Sequence, residues 1–345
     1  MRIGILTFHG GVNAGGFLQA RGLWQEVTRL GHECEIINYV NESQKAAEYD
    51  AIFRTKHPIK RWKNIKRLRL YKRALAELVL SPPIGAAAEI SDLDYDVIIF
   101  GSDEIWNLCN PCAKGDSTFF GRGIGEVEKV SYAPSFGSTP PDYASLSEIR
   151  EDLAEFRSIS VRDENSQTIL KGLKIPNSVS KLVVDPVFLS GADQPLKHRK
   201  VNGSFGLYLM GPSRAEISAV KSFASKCGKK LCSIGFHHPW ADRNLGSVGP
   251  VEVPRLLAAS DIIITNTFHG VVFALKNRRP FVIIDHPSKT RKIATFVKLL
   301  DLKVFPGGDD VLTEEFINEG CAREDLDQWI ARSRTYLSEA LNITR

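Results

Sequence analysis

The sequence has no apolar run approaching the roughly 18–20 residues that a membrane-spanning helix needs. Its opening apolar stretch, Ile3-Gly-Ile-Leu-Thr-Phe8, is cut at once by His9-Gly10-Gly11 and is too short for a secretory signal. A cytoplasmic protein is expected, with any membrane association peripheral and on the inner face. Cysteine is sparse. Six residues (Cys34, Cys109, Cys112, Cys227, Cys232, Cys321) are scattered over 345, which excludes a disulfide-stapled scaffold. Cys109-Asn-Pro-Cys112 lacks the second pair that a zinc site would want, so no metal is expected. Internal repeats, low-complexity tracts, the GxGxxG fingerprint and the P-loop lysine are all missing. Intrinsic disorder is excluded too, because 43% of residues are hydrophobic and only 25% charged.

One stretch lacks acid. From Ala51 to Ala76 there are ten Lys/Arg (Arg54, Lys56, Lys60, Arg61, Lys63, Lys66, Arg67, Arg69, Lys72, Arg73) and no Asp or Glu. The net charge of +5 is therefore local, and the rest of the chain carries −5.

What is present is an alternation of β and α signals. Ile3 to Phe8 reads as a buried strand. Phe17, Ala20, Leu23, Trp24, Val27 and Leu30 recur at helical spacing up to Gly31, and Glu35 to Tyr39 is the next strand. Later strands are predicted at 96–100, 129–133, 158–161, 181–184, 205–210, 230–234, 261–265 and 281–284. The fold class expected is α/β, with two Rossmann-like doubly wound domains facing a cleft. The first would span 1–190 with a basic helical insertion over 51–80, and the second 191–325. A hinge is expected over 185–200. The amphipathic helix of 326–345 (Leu326, Trp329, Ile330, Leu337, Leu341) is predicted to cross back onto the first domain.

Ligands of open α/β sheets sit beyond the carboxyl ends of the strands. Four polar constellations fall there. His9 to Gly16 is a glycine-rich turn into a helix. It suits either a tight structural turn or a loop whose N–H groups meet an anion. Gly101-Ser102-Asp103-Glu104-Ile105-Trp106 places an acid and a hydroxyl at a strand end, with an aromatic ring one turn on. That set suits a sugar, or equally an N-cap with Trp106 in the core. Ser160-Val161-Arg162-Asp163-Glu164 offers a guanidinium for a carboxylate or phosphate, or for an ion pair with a neighbouring acid. Thr265-Asn266-Thr267-Phe268-His269-Gly270 brings a histidine to a strand-to-helix turn, where free N–H groups can hold phosphate. Lys289, Arg291 and Lys292 follow a strand and could face the same place or simply solvent.

Taken in order, Ile3 to His9, Asn13-x-Gly15-x-x-Leu18-Gln19-Ala20, Asp96-x-Ile-Ile-Phe-Gly-Ser-Asp-x-x-Trp106, Val130 to Gly137, Ile159 to Asp163, Val184-Asp-Pro186 and Thr265 to Gly270 resemble the polysaccharide pyruvyl transferase family. The resemblance spans nearly the whole chain. It implies a GT-B-like enzyme that moves the enolpyruvyl unit of phosphoenolpyruvate onto two hydroxyls of a sugar. The product is a pyruvate ketal of an acidic cell-surface polysaccharide, capsule, exopolysaccharide or glycoconjugate, and phosphate is released. Phosphoenolpyruvate is then a substrate, and no cofactor is implied. His269, Asp103 and Arg162 become the expected catalytic residues. Arg162, Asn266, His269, Gly270 and Arg291 would bind phosphoenolpyruvate. His9, Asn13, Gly15, Ser102, Asp103 and Trp106 would bind the acceptor. Removing the side chain of His269 or of Arg162 is expected to abolish transfer without unfolding the protein.

Two departures from the family pattern matter. The first loop commonly reads Asn-Tyr-Gly-Ala but here is Asn13-Ala14-Gly15-Gly16. Some branches carry Arg-Leu-His where this chain has Thr267-Phe268-His269, so a phosphate-binding cation must come from elsewhere, with Arg162 and Arg291 the candidates. The rival enzyme is a GT-B glycosyltransferase using a nucleotide sugar. A nucleic-acid partner is not expected, because only Trp62 and Tyr71 interleave with the basic run. Trp62, Ile65, Leu68, Leu75 and Leu78 give that run a rough apolar stripe. It reads as a docked helix with a solvated basic face, or as a surface for anionic lipid or a polyprenyl diphosphate-linked acceptor.

Overall fold

A computed structural model describes residues 1–39, 41–53, 58–111, 113, 115–175, 180–191, 193, 195, 201–286, 290–308, 310–320 and 323–342. Cys112, Cys321, Lys289 and most of the expected hinge after Gly191 lie outside the described residues. The chain divides into two compact units. One comprises Met1–Lys56, Lys72–Ser190 and Leu326–Arg345, and the other His57–Tyr71 and Gly191–Asp325.

The first unit opens with β1 (Arg2–Leu6), α1 (Ala14–Arg29) and β2 (Glu33–Ile36). The apolar run of β1 is almost wholly buried, as a strand of a parallel sheet covered on both faces must be. Asn13 caps α1 by accepting from the Gly15 N–H at 3.1 Å, Phe17, Ala20, Leu23 and Val27 line its buried face, and Gly31 at φ +88° ends it. The chain continues through α2 (Glu42–Phe53), α3 (Pro58–Leu75) and α4 (Ala88–Ser91) to β3 (Val97–Phe100) and β4 (Glu128–Ser131). After these come α5 (Arg150–Ala154), β5 (Ser160–Val161), α6 (Glu164–Leu173) and β6 (Lys181–Leu182). The sheet order is β2-β1-β3-β4, parallel throughout, and β5 pairs with β6 beside it. Phe100, Trp106, Phe119, Phe120, Phe136 and Phe156 form the aromatic heart of its core.

The second unit holds β7 (Ser204–Tyr208), α7 (Arg214–Lys226), β8 (Lys230–Ile234), β9 (Arg243–Leu245), α8 (Glu252–Ala258) and β10 (Ile262–Thr265). It then runs through α9 (Phe268–Lys276), β11 (Phe281–Ile284), α10 (Thr290–Leu299) and β12 (Val304–Phe305). Its six strands lie in the order β12-β11-β10-β7-β8-β9, again all parallel. The short strands β9 and β12 carry too few residues to show a period, and the sequence did not reveal them.

Two segments join units that are remote from them in sequence. The last helix, α11 (Glu324–Leu341), groups with the first unit from Leu326 on. Trp329 donates its indole N–H to the Leu182 carbonyl at 3.1 Å, Ser333 accepts from the Val184 N–H at 2.9 Å, and Tyr336 donates to the Ser131 carbonyl at 3.0 Å. The basic helix goes the other way. The sequence reading attached all of it to the first domain, but the stretch up to Tyr71 groups with the second unit. Ser247 donates to the Lys63 carbonyl at 3.3 Å, and a Cβ at Gly249 would lie 3.9 Å from Leu70 Cβ. Of the expected apolar stripe, Ile65, Leu68 and Leu75 are half-buried and Leu78 is buried, and Trp62 departs from it. Trp62 is 62% exposed, and the buried ring on this helix is that of Tyr71.

Gly101 shows how closely the site-bearing loops are packed. Its φ is +130°, and a Cβ there would stand 2.1 Å from the Tyr132 carbonyl oxygen. By contrast, a Cβ at Gly172 in α6 would meet nothing within 4 Å. Gly101→Ala should destabilise the protein by more than about 4 kcal/mol, whereas Gly172→Ala should stabilise it by about 0.4–1 kcal/mol. Urea denaturation of both variants beside the parent checks this, and a parent-like midpoint for Gly101→Ala would contradict the close approach.

Candidate functional site

In the first unit the chain passes from β1 to β2 on one side and later to β3 on the other. The topological switch point therefore lies between β1 and β3, where doubly wound sheets bind ligands. The loop leaving β1 is His9 to Gly16, and the turn leaving β3 is Gly101 to Asp103. Two constellations found by sequence thus flank one switch point.

Gly16 is where they meet. A Cβ at this position would lie 3.3 Å from Asp103 Oδ2 and 3.6 Å from Asn13 Nδ2, so its lack of a side chain lets both polar groups approach. Asp103 sits at φ +66°. Its Oδ1 accepts from the Glu104 N–H at 2.9 Å and from Arg162 Nη2 at 3.3 Å. No hydrogen bond from the described residues reaches Oδ2.

Behind that carboxylate lies an ion cluster. Arg162 is 3% exposed, and its Nη1 donates to Asp185 Oδ2 at 2.8 Å. Burial works against its charge, but Asp103 and Asp185 outweigh it and hold its pKa above the ordinary value. Asp185 is fully buried, and its Oδ1 caps the following turn by accepting from the Val187 N–H at 3.0 Å. The ion pair open to Arg162 in the sequence is therefore made with Asp103 and Asp185. The adjacent Asp163 instead caps α6 by accepting from Ser166 N at 2.8 Å.

The remaining acceptor-side residues are interior. Ser102 donates from Oγ to the Ala133 carbonyl at 3.0 Å, and its N–H donates to Gln19 Oε1 at 3.2 Å. Gln19 returns its amide to Thr7 Oγ1, the Phe8 carbonyl and the Gly16 carbonyl at 2.8–3.0 Å, so it ties both loops together. His9 is buried, with Nδ1 at 3.0 Å from the Thr7 carbonyl and Nε2 at 3.3 Å from Asn38 Oδ1, and burial pushes its pKa down. Gly15 is buried within α1. Trp106 must be corrected as a sugar platform. It is fully buried, donates its indole N–H to the Phe119 carbonyl at 2.8 Å, and packs among Phe120, Phe136 and Phe156. No ring face is left for a ligand. Gln19 and Asp185 stand in the motifs quoted from the sequence but were given no role in the site. A polar residue fully inside a helix face that is otherwise apolar was the available signal for Gln19.

The second unit repeats the logic at its own switch point, between β7 and β10. Asn266 spans it, accepting from Met210 N at 2.8 Å and donating to the Met210 carbonyl at 3.1 Å. Thr265 donates to the Tyr208 carbonyl at 2.8 Å. Thr267 caps α9 by accepting from the Gly270 N–H at 3.0 Å. A Cβ at Gly270 would stand 2.0 Å from Thr265 Oγ1, so only glycine fits there. His269 is mostly buried in the first turn of α9, its ring 5.2 Å from that of Phe268 and 6.1 Å from that of Phe273. Arg291 lies exposed in the first turn of α10. Asn13, Asp103 and Arg162 thus belong to the first unit, and Asn266, His269, Gly270 and Arg291 to the second. Among the described residues no group of three or more His, Cys, Asp or Glu is arranged to hold a metal ion.

A family model described as polysaccharide pyruvyl transferase matches residues 13–288, a span that includes Asn13, Asp103, Arg162, Asn266 and His269 but neither His9 nor Arg291. No curated protein matches the sequence. Among solved structures, the UDP-GlcNAc 2-epimerase of Methanocaldococcus jannaschii is similar at 10% identity and a TM-score of 0.50, covering 97% of this chain and 100% of that one. The glycosyltransferase SnogD of Streptomyces nogalater is similar at 13% identity and a TM-score of 0.47, covering 99% and 95%. At such identities the likeness is one of fold, and the two parallel sheets with their switch points make that fold one of two Rossmann-like α/β domains.

The buried ion cluster changes what is expected of Arg162. Its removal leaves two interior carboxylates uncompensated, so Arg162→Ala should cost about 3–5 kcal/mol of stability as well as any activity. Chemical denaturation should show this as a lower midpoint. A parent-like midpoint would mean that Arg162 is not the structural counterion of Asp103 and Asp185.

Proposed function

The chain belongs to the polysaccharide pyruvyl transferase family, and from that premise we propose that it transfers the enolpyruvyl group of phosphoenolpyruvate to two hydroxyls of a sugar as a ketal. The single observation that carries the assignment of roles is Asp103. Its Oδ2 stands beside Asn13 at a switch point with one oxygen held by Arg162 and the other available.

In this reading the first unit receives the acceptor. Asp103 Oδ2 accepts the proton of the attacking hydroxyl, and Asn13 orients the sugar. Arg162 works as a positioning residue that fixes Asp103 Oδ1, because its guanidinium is engaged by two carboxylates. The second unit receives the donor. The N–H groups opening α9 and its dipole favour a phosphate there. His269 donates a proton to the departing phosphate or to the methylene carbon. Asn266 and Gly270 shape the turn, and Arg291 meets an anionic end of the donor. The balance is simple. The methylene carbon gains a proton and becomes a methyl group, the bond from the central carbon to the phosphate oxygen breaks, and two sugar hydroxyls form two C–O bonds there. One of their two protons goes to the methylene carbon and the other leaves with phosphate. No oxidant or cofactor is required by this balance.

The test is to incubate the protein with phosphoenolpyruvate and a panel of sugars, free and polyprenyl diphosphate-linked. Products should gain the mass of pyruvic acid less water, with equimolar phosphate. His269→Ala and Asp103→Asn should each lose about 100-fold or more of the rate, in line with a positioned acid or base. Release of a nucleoside diphosphate from a nucleotide sugar, with phosphoenolpyruvate inert, would replace this reading with that of an ordinary glycosyltransferase.

A peripheral place on the cytoplasmic face of an anionic membrane also fits, as for an enzyme of lipid-linked capsule or exopolysaccharide intermediates. Among the described residues no helix is long and apolar enough to cross a membrane. However, Arg61, Trp62, Lys66, Arg69, Lys72 and Arg73 of α3 are all exposed, with Lys66 5.8 Å above the Trp62 ring. Each such cation near an anionic surface contributes about 1 kcal/mol. Sedimentation with vesicles rich in anionic lipid should carry the protein down and fail at high salt. Equal sedimentation with neutral vesicles would exclude an electrostatic contact.

A further inference from the structure

The donor of the proposed reaction carries a carboxylate and a phosphate, yet the first turn of α9, Phe268 to Gly270, brings no lysine or arginine. Arg162 belongs to the other unit and is engaged by two carboxylates. We propose that Arg67, from the basic helix α3, is a donor-binding cation of the second unit in addition to Arg291.

Arg67 groups with the second unit, and its guanidinium carbon lies 5.9 Å from the centre of the Phe236 ring and 5.5 Å from that of Tyr71. Phe236 follows the carboxyl end of β8, and its ring is 4.9 Å from that of Tyr208, the last residue of β7. Tyr208 is in turn 5.7 Å from Phe273, whose ring is 6.1 Å from His269. An unbroken sequence of aromatic contacts therefore joins Arg67 to His269 across the carboxyl ends of β7, β8 and β10. Those ends flank the switch point of this sheet, where a ligand is expected. Burial raises the Tyr208 pKa and the charge on Arg67 opposes it, so the guanidinium is felt at the strand end itself.

The geometry also suits an anion. The guanidinium lies 5.5 and 5.9 Å from two ring centres, and its planar fork matches a carboxylate or a phosphate. Contact with the Tyr71 and Phe236 rings restricts the side chain and cuts the entropy lost when it grips a planar carboxylate or a phosphate. Burial among apolar rings strengthens that charge-assisted contact. A role confined to anchoring α3 predicts something different, namely lost stability with unchanged donor affinity.

This inference rests on the phosphoenolpyruvate reading, and the test separates the two. Calorimetry and ligand-induced thermal shift with phosphoenolpyruvate need no knowledge of the acceptor. They should be run on the full chain, on Arg67→Gln, on Arg67→Lys, and on Arg69→Gln, which removes an exposed charge from the same helix. Arg67→Gln should weaken phosphoenolpyruvate binding by about 10- to 100-fold, the loss of one or two charge-assisted hydrogen bonds. Arg67→Lys should restore part of it, and Arg69→Gln should bind as the parent does. Where Arg67→Gln does not fold, the comparison of Arg67→Lys with Arg69→Gln carries the same information. Parent-like affinity in both Arg67 variants would overturn the inference while leaving the donor reading intact. Equal losses at Arg67 and Arg69 would overturn it in favour of diffuse potential from the helix. A parent protein that binds no phosphoenolpyruvate would overturn the donor reading itself, and this inference with it.

Discussion

The first unit depends on one buried guanidinium. Arg162 leaves the end of β5 and reaches both Asp103, in the turn after β3, and Asp185, in the turn after β6. An arginine enclosed to this degree cannot lose its proton, and burial alone would be costly. It is tolerated because two carboxylates surround it and further hydrogen bonds hold those carboxylates in place. The same arrangement decides the chemistry on offer. One cation between two anions leaves net negative charge, and the one carboxylate oxygen not held by this lattice, Asp103 Oδ2, is directed to the gap above Gly16. Gly16 belongs to the same constraint, since a side chain there would crowd Asp103 Oδ2, while one at Gly101 would strike the Tyr132 carbonyl.

The switch point of the second unit is built with almost no charge. Its strand ends are fastened by hydroxyl and amide groups, Thr265, Thr267 and Asn266, which bond to backbone and to each other. Such a lattice fixes the first turn of α9 and leaves the region neutral, receptive to an anion through its dipoles. The charge complement then comes from a segment that leaves the first unit's chain path early, docks on the second, and returns. Helix α3 is therefore more than a solvated insertion. Its faces differ: one carries exposed cations around Trp62, and the other buries Tyr71 and sets Arg67 against Phe236.

Much of this was legible in the sequence because the signals are local. Buried parallel strands are short apolar runs, so β1, β3, β8, β10 and β11 were found within a residue or two of their ends. Capping is also local, and Asn13, Asp163 and Thr267 stand at predicted strand-to-helix turns. Residues whose partners lie far along the chain were harder to read. Trp106 has the spacing of a sugar platform after an acidic turn, but only the assembled core shows its ring enclosed by Phe120, Phe136 and Phe156. Arg162 had nearby acids at 163 and 164, and the two that it binds are 59 and 23 residues away.

By itself the sequence determined the alternation of strand and helix, the two Rossmann-like domains, the family, and the four polar turns at strand ends, because each is written in neighbouring residues or in a fixed period. Only the tertiary structure decided which of those turns share a switch point, which acids neutralise Arg162, and which sheet receives the basic helix. These are matters of strand order and of docking between remote segments. A one-dimensional pattern shows that Arg67 is charged and that Phe236 is apolar. It does not place one above the other, because hydrophobic burial is non-directional and many partners would satisfy the same pattern.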